Sequence, residues 1–287
     1  MRPGLTSVLE LLKPVTWFPP MWAFACGVVA SGQSASGRGT DILTGVLLAG
    51  PLVCGTSQAV NDWFDRHVDA INEPNRPIPS GRLPGRRGLH VAWIWTGLSL
   101  LVALRLGPWG FGASVVALAL AWAYSAPPFR FKRNGWIGNA ACALCYEGLA
   151  WLTGASVMAG GGIPPRESLW LAALYSLGAH GIMTLNDFKS IEGDRRFGID
   201  SLPVLLGAQR AADVACVLMA AAQLGVVIAL MGWGHPMAAT IVGALLLIQL
   251  GLMQRFRQEP VARAVWYSGF GVMLYVTGMM VSAVSLR

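Results

Sequence analysis

The run Asn61-Asp62-Trp63-Phe64-Asp65-Arg66-His67-Val68-Asp69 follows directly on an apolar segment, 42–60. It returns in altered form as Asn186-Asp187-Phe188-Lys189-Ser190-Ile191-Glu192-Gly193-Asp194, after the apolar segment 168–185. Each copy opens on Asn-Asp and closes on Asp at the same spacing. Two carboxylate clusters kept at the ends of apolar helices predict a membrane protein that holds divalent metal and an anionic ligand between them.

The composition agrees. Of 287 residues, 54% are hydrophobic and 12% charged, with a mean hydropathy of +0.54; a soluble domain carries roughly 25% charged residues. Nine segments are apolar and long enough to span: about 14–31, 42–60, 89–106, 108–125, 136–157, 168–185, 211–231, 236–254 and 264–284. The expected fold is all-α and integral to the membrane: a nine-transmembrane-helix bundle with an acidic cavity on the cytoplasmic side, one domain over 1–287. Gly and Pro inside several segments are tolerated by bundled membrane helices. The first segment lacks a small-residue cleavage signature, so no removable signal peptide is expected.

With an odd number of spans the two ends lie on opposite sides. Arg2, Lys13, Arg66, Arg76, Arg82, Arg86, Arg87, Arg130, Lys132, Arg133, Lys189, Arg195, Arg196, Arg210, Arg255, Arg257 and Arg263 then share one side. Only Arg38, Arg105, Arg166 and Arg287 take the other, a division of 17 against 4 among the 21 basic residues. The first side is therefore cytoplasmic, and both acidic motifs fall on it. The net charge of +7 follows from this bias and gives no argument for nucleic acid. All five cysteines lie inside predicted spans, and the Cys142/Cys145 pair has no His or second Cys pair to make a metal site. Between the motifs, the loop 66–88 contains Glu73-Pro74-Asn75-Arg76-Pro77-Ile78-Pro79-Ser80-Gly81, whose prolines forbid a continuous helix and predict a fixed turn structure.

If the first motif continues the second span as a helix, Asp62, Asp65 and Asp69 fall within roughly 60° of one another, with Asn61 at the edge of that face. Crowded carboxylates repel unless a cation neutralises them. Mg²⁺ suits them: it takes oxygen ligands and is usually held by one or two carboxylates plus substrate phosphates. The second motif keeps Asn186, Asp187 and Asp194 but places Ser190 where the middle Asp would stand. Glu192 lies off the ideal face and contributes only if the helix breaks, for which Gly193 is the expected place. Arg66, Lys132, Arg133, Lys189, Arg195 and Arg196 lie near enough in sequence to neutralise a departing diphosphate; as loop bases, each equally suits topology or lipid contact. Tyr124 ends the fourth span, where its hydroxyl suits a phosphate and its ring an allylic cation, or simply the interfacial belt.

Glu147 is the one acid well inside an apolar span, which argues for a functional or cavity-facing role such as orienting an acceptor. His180, seven residues before Asp187 on the same helical face, suits an acceptor pocket or an interhelical hydrogen bond. The twelve Trp serve mainly as belt anchors, with some available to wall a pocket for a flat acceptor.

The NDxxDxxxD motif, the second Asp-rich motif and nine spans resemble the UbiA superfamily of membrane prenyltransferases over essentially the whole chain. The runs INEPNRPIPSGRLPG (71–85), YSAPPFRFKRNGWIGN (124–139) and HGIMTLNDFKSIEGDRRFGIDSLPVLLG (180–207) resemble the chlorophyll and bacteriochlorophyll synthase branch. KRNGWIGN and CYEGLAW resemble its bacteriochlorophyll side. The resemblance implies Mg²⁺-dependent esterification of the ring propionate of bacteriochlorophyllide by geranylgeranyl or phytyl diphosphate, in the inner or intracytoplasmic photosynthetic membrane of a bacterium. It implies Mg²⁺ and diphosphate binding by Asn61, Asp62, Asp65, Asp69, Asp187 and Asp194, and pigment-pathway proteins as partners. Two features depart from the superfamily pattern. Its Tyr-x-x-x-Lys element is stretched here to Tyr124…Lys132, and Ser190 replaces an acid.

Two other readings compete. One is a superfamily member prenylating a quinone precursor or haem; the other is a cation-coupled transporter of anionic ligands, which predicts flux without diphosphate release. A membrane alcohol phosphotransferase is disfavoured because the DGxxAR start of its signature is absent.

Overall fold

The computed structural model describes residues 4–287. Arg2, counted above for orientation, lies outside them. The described residues form helices α1 (Leu5–Leu12), α2 (Phe18–Ala30), α3 (Gly39–Leu47), α4 (Gly55–Asn72), α5 (Arg87–Ala103), α6 (Gly107–Ser125), α7 (Gly135–Ala143), α8 (Ala150–Met158), α9 (Arg166–Asp187), α10 (Ile191–Phe197), α11 (Leu202–Leu206), α12 (Ala208–Gly232), α13 (Pro236–Gln258) and α14 (Pro260–Ser285). No strand occurs among them; one isolated parallel bridge joins Asn134 to Asp200. Seven continuous helical stretches among the described residues are long and apolar enough to cross a membrane, and the chain is a multi-pass membrane protein.

Two spans change pitch. Between α3 and α4 the helix widens into a π segment, Leu48–Cys54, around Pro51. Proline has no N–H to donate and crowds the preceding turn, so widening keeps the helix continuous. A second π segment, Leu144–Leu149, joins α7 to α8 and carries Glu147. The stretch Arg87–Ser125 is a hairpin in fact: Gly107 at φ 77° breaks it, and α5 packs against α6.

The chain divides into two compact units. One contains the chain up to Val28, Ser34–Arg130 and Leu149–Ile163. In it α4 packs on α1, α5 and α6, around a core of Leu11, Leu12, Ala59, Val60, Leu83 and Ala92. Helices α2 and α8 meet backbone to backbone. A Cβ on Gly27 would strike the Trp151 carbonyl, and one on Gly154 the Phe24 carbonyl, so small residues set this crossing.

The other unit contains Val29–Gln33, Phe131–Gly148 and Pro164–Arg287. Here α9 packs on α7, α12 and α14, and α13 on α12 and α14. Several of its interior polar groups pair with one another: Tyr175 and Ser282 hydroxyls at 2.7 Å, and Gln249 Nε2 donating to the Tyr267 hydroxyl at 3.0 Å. Such pairing is what an apolar surround requires of buried polar groups.

Candidate active site

The first motif lies on α4, which runs unbroken from Gly55 to Asn72, as its spacing predicts. Asp62 is 1% exposed and Asp69 is buried. Lys13 Nζ donates to Asp62 Oδ1 at 2.6 Å, and Arg76 Nη1 lies 3.5 Å from the same oxygen. Arg76 Nη1 also donates to Asp69 Oδ2 at 2.8 Å. Asn61 Nδ2 donates to Asp65 Oδ2 at 3.0 Å and to Ser125 Oγ at 3.2 Å. Two cations thus sit against this acidic face.

The proline-rich loop delivers one of them. Glu73 N donates to Asp69 O, Arg76 N to Glu73 O, and Leu83 N to Pro77 O. Leu83 is buried in the core, and Arg82 pairs with Glu10 on α1. The loop therefore folds back and returns Arg76 over α4. Burial would lower the pKa of Arg76, but the Asp62 and Asp69 carboxylates beside it outweigh that and hold it above its usual value. The hydrogen bond from Arg82 holds the Glu10 carboxyl below the usual range.

The second motif is built differently. Asp187 is the last residue of α9, and a turn at 188–190 separates it from α10. The break thus precedes Gly193, which lies within α10, and not at Gly193 as expected from the sequence. Asp187 Oδ2 accepts from Asn139 Nδ2 at 3.2 Å, and Asn139 also donates to Thr184 Oγ1 at 3.2 Å. Ser190 Oγ donates to Asp194 Oδ2 at 2.9 Å. The serine that replaces an acid works here as a neutral donor to the remaining one.

The other predicted residues are distributed as follows. Arg66 is turned onto its own helix: it donates to Trp63 O at 2.7 Å and lies 4.2 Å from the centre of that ring. Tyr124 is half-buried near the end of α6, and Lys132 is half-buried in the turn before α7. Asn186, Lys189 and Arg195 are exposed. His180 Nε2 bonds to Trp136 O at 3.1 Å, the interhelical hydrogen bond that was one of its two readings. Glu147 is 4% exposed, and its Oε2 has no hydrogen-bond partner among the described residues. None of the five cysteines is in a disulfide, and three of them are buried.

Sequence reasoning missed Lys13, Arg76 and Asn139 as partners of the acids. Lys13 and Arg76 read as orientation charges. Asn139 did carry a signal, as a polar residue near the start of an apolar span.

The donor set fits a hard divalent cation on one direct observation. Asp62 Oδ2 is buried and accepts from no donor among the described residues. An unsatisfied buried carboxylate oxygen costs on the order of 1–3 kcal/mol, which a bound cation or its water would recover.

The UbiA prenyltransferase family matches residues 17–277, and the chain belongs to that family. It is an enzyme of prenyl transfer. Within the family it is 54% identical to the bacteriochlorophyll synthase 33 kDa chain of Cereibacter sphaeroides, over 99% of this chain and 94% of that one. It is 37% identical to the chloroplastic chlorophyll synthase of Avena sativa, over 96% of this chain and 75% of that one. A solved structure of a UbiA homolog from Archaeoglobus fulgidus bound to GPP and Mg²⁺ has the same fold, with a TM-score of 0.75 at 21% identity, covering 94% of this chain and 99% of that one.

Proposed function

We propose that this enzyme transfers a geranylgeranyl or phytyl group from its diphosphate to the propionate of bacteriochlorophyllide, releasing diphosphate. Identity of 54% along nearly the whole chain to a bacteriochlorophyll synthase chain carries the acceptor assignment. The two acidic clusters carry the donor assignment. Asp62, Asp65 and Asp69 would hold Mg²⁺ in one cluster and Asp187 and Asp194 in the other, with Asn61 and Asn186 binding the diphosphate. Bound Mg²⁺ would supply Lewis-acid neutralisation of the charge that develops on the leaving group.

The protein's own groups do the rest. Lys13 and Arg76 add fixed positive charge beside the first cluster, where diphosphate oxygens need it. Asn139 and Ser190 orient the carboxylates of the second cluster by donating to one oxygen of each, leaving the other oxygen to the ligand. Tyr124, Arg66, Lys132, Lys189 and Arg195 complete the diphosphate side, and Glu147 and His180 the acceptor side. The allylic C–O bond breaks with its electron pair leaving on the diphosphate, and a propionate oxygen forms the ester bond to that carbon. A propionate is already ionised near neutral pH, so no general base is required.

We further read the chain as one catalytic domain with nine spans and its acidic motifs at the cytoplasmic face of a bacterial photosynthetic membrane. Nine follows when the hairpin α5–α6 is counted as two crossings and the shorter apolar helix Phe18–Ala30 is added to the seven long stretches. The 17-to-4 basic bias supports the orientation. Incubation of the purified protein with bacteriochlorophyllide, geranylgeranyl diphosphate and Mg²⁺ should yield esterified pigment and one diphosphate per ester. Prenylation of 4-hydroxybenzoate in preference to the tetrapyrrole acid would refute the acceptor; ion-driven flux without diphosphate release would refute the enzyme mechanism.

A further inference from the structure

The turn between α13 and α14 holds an open pocket of about 540 Å³, lined by Arg255, Gln258, Arg263 and Trp266. It lies at the end of its unit that carries the second acidic motif. Phe256, on α13, stacks edge-on against Phe188, the residue after Asp187, at 5.5 Å between ring centres. Most charged groups around the pocket are already engaged. Arg263 donates to Arg255 O, Gln258 Oε1 and Glu259 Oε1, and Arg257 donates to Asp213. Glu259 and Asp213 are thereby neutralised. The Arg255 guanidinium is exposed and takes part in no hydrogen bond or ion pair among the described residues, so the pocket keeps one uncompensated positive charge.

From the pocket an apolar row runs along α14. Trp266 and Phe270 rings lie 5.9 Å apart, Phe270 is 60% exposed, and Met273 follows one turn further, 55% exposed. Positions i, i+4 and i+7 share one face of a helix. A cation at the helix end, a rim tryptophan and an exposed apolar ridge leading away from them match an anionic lipid: phosphate at the charge, acyl chain on the ridge.

We propose that the α13–α14 turn is a binding site for the phosphate headgroup of an anionic phospholipid, with Arg255 as its electrostatic anchor. The site is separate from the acidic clusters and does not depend on the identity of the prenyl acceptor.

Native mass spectrometry of the detergent-solubilised full chain, titrated with phosphatidylglycerol, tests this. One tightly held phosphatidylglycerol is expected, with phosphatidylcholine held more weakly. Arg255→Gln should weaken the first phosphatidylglycerol by about five-fold, the weight of one interfacial basic residue. Arg255→Lys should restore it, and Arg105→Gln, an exposed charge elsewhere, should leave it unchanged. Equal retention by Arg255→Gln, or equal affinity for the two lipids, would overturn the site. Displacement of the lipid by millimolar inorganic phosphate would reassign it to a free anion. A melting temperature for each variant separates loss of the site from loss of the fold.

Discussion

The two acidic motifs share a spacing but not a construction. The first is a continuous helix on which two carboxylates, Asp62 and Asp69, meet two cations, Lys13 and Arg76. The second is cut by a turn, and its two aspartates meet neutral donors, Asn139 and Ser190. A like-charged cluster on one rigid helix face needs counter-charge to stay buried, as Asp62 does. With one acid fewer and a bend between the other two, repulsion falls and an amide or hydroxyl suffices. The same motif thus serves as a charge-balanced half and a charge-poor half, and replacing residues in each should separate the two.

The largest effects belong to the acids themselves. Asp62→Ala and Asp187→Ala should each lower turnover by at least about 10²–10³-fold, the usual consequence of removing one electrostatic element of a site. Esterified pigment resolved by chromatography measures this. If one of the pair kept near-wild-type turnover, only the other half would be required, and the paired construction would lose its meaning.

Next comes Arg76→Gln. It strips Asp69 of its cation and leaves Asp62 with Lys13. Arg76 is 31% exposed, so the expected loss is about 1–2 kcal/mol of stability rather than the 3–5 of a fully buried pair. Mg²⁺ should recover most of that loss in thermal melts, because the missing element is charge. Asn139→Ala should behave otherwise. It removes a hydrogen bond to Asp187 and one to Thr184, costing about ten-fold in turnover, and Mg²⁺ should not restore it because what is lost is orientation. Equal rescue of both variants by Mg²⁺ would erase the distinction between the halves. Ser190→Ala should be milder still, about two- to five-fold, since it takes one hydrogen bond from the cluster where Asn139→Ala takes two.

Much of this could be read from the sequence. Spans betray themselves by length and apolarity, and seven helical stretches among the described residues are long and apolar enough to cross; the helix over the expected segment 14–31 begins late, at Phe18, because Pro14–Thr16 form a tight turn first. The first motif's helical face was readable because nothing interrupts α4. The second misled because ideal helical geometry was extended across residues 188–190, where the chain turns. The partners of the acids were hidden for a different reason. Lys13 reaches Asp62 across 49 residues, and Arg76 reaches Asp69 only because three prolines and the buried Leu83 fold the loop back. Tertiary contacts of this kind leave no periodicity behind.

That loop allows the smallest test. Arg82 holds it to α1 by pairing with Glu10 and also bonds Asn75 O, one residue before Arg76. Glu10→Gln should leave turnover within about two-fold, because an exposed pair adds little, and should lower the melting temperature at neutral pH by less than Arg76→Gln does. Its pH dependence has a definite sign. Glu10 titrates below its unfolded value, principally through the Arg82 hydrogen bond, so its contribution is complete above about pH 4.3. The contribution fades as pH falls through the lower folded value. The melting difference between wild type and Glu10→Gln should therefore shrink toward zero on acidification. A difference that persisted in acid would assign the contact to packing, and the loop would hold Arg76 in place without any help from this charge pair.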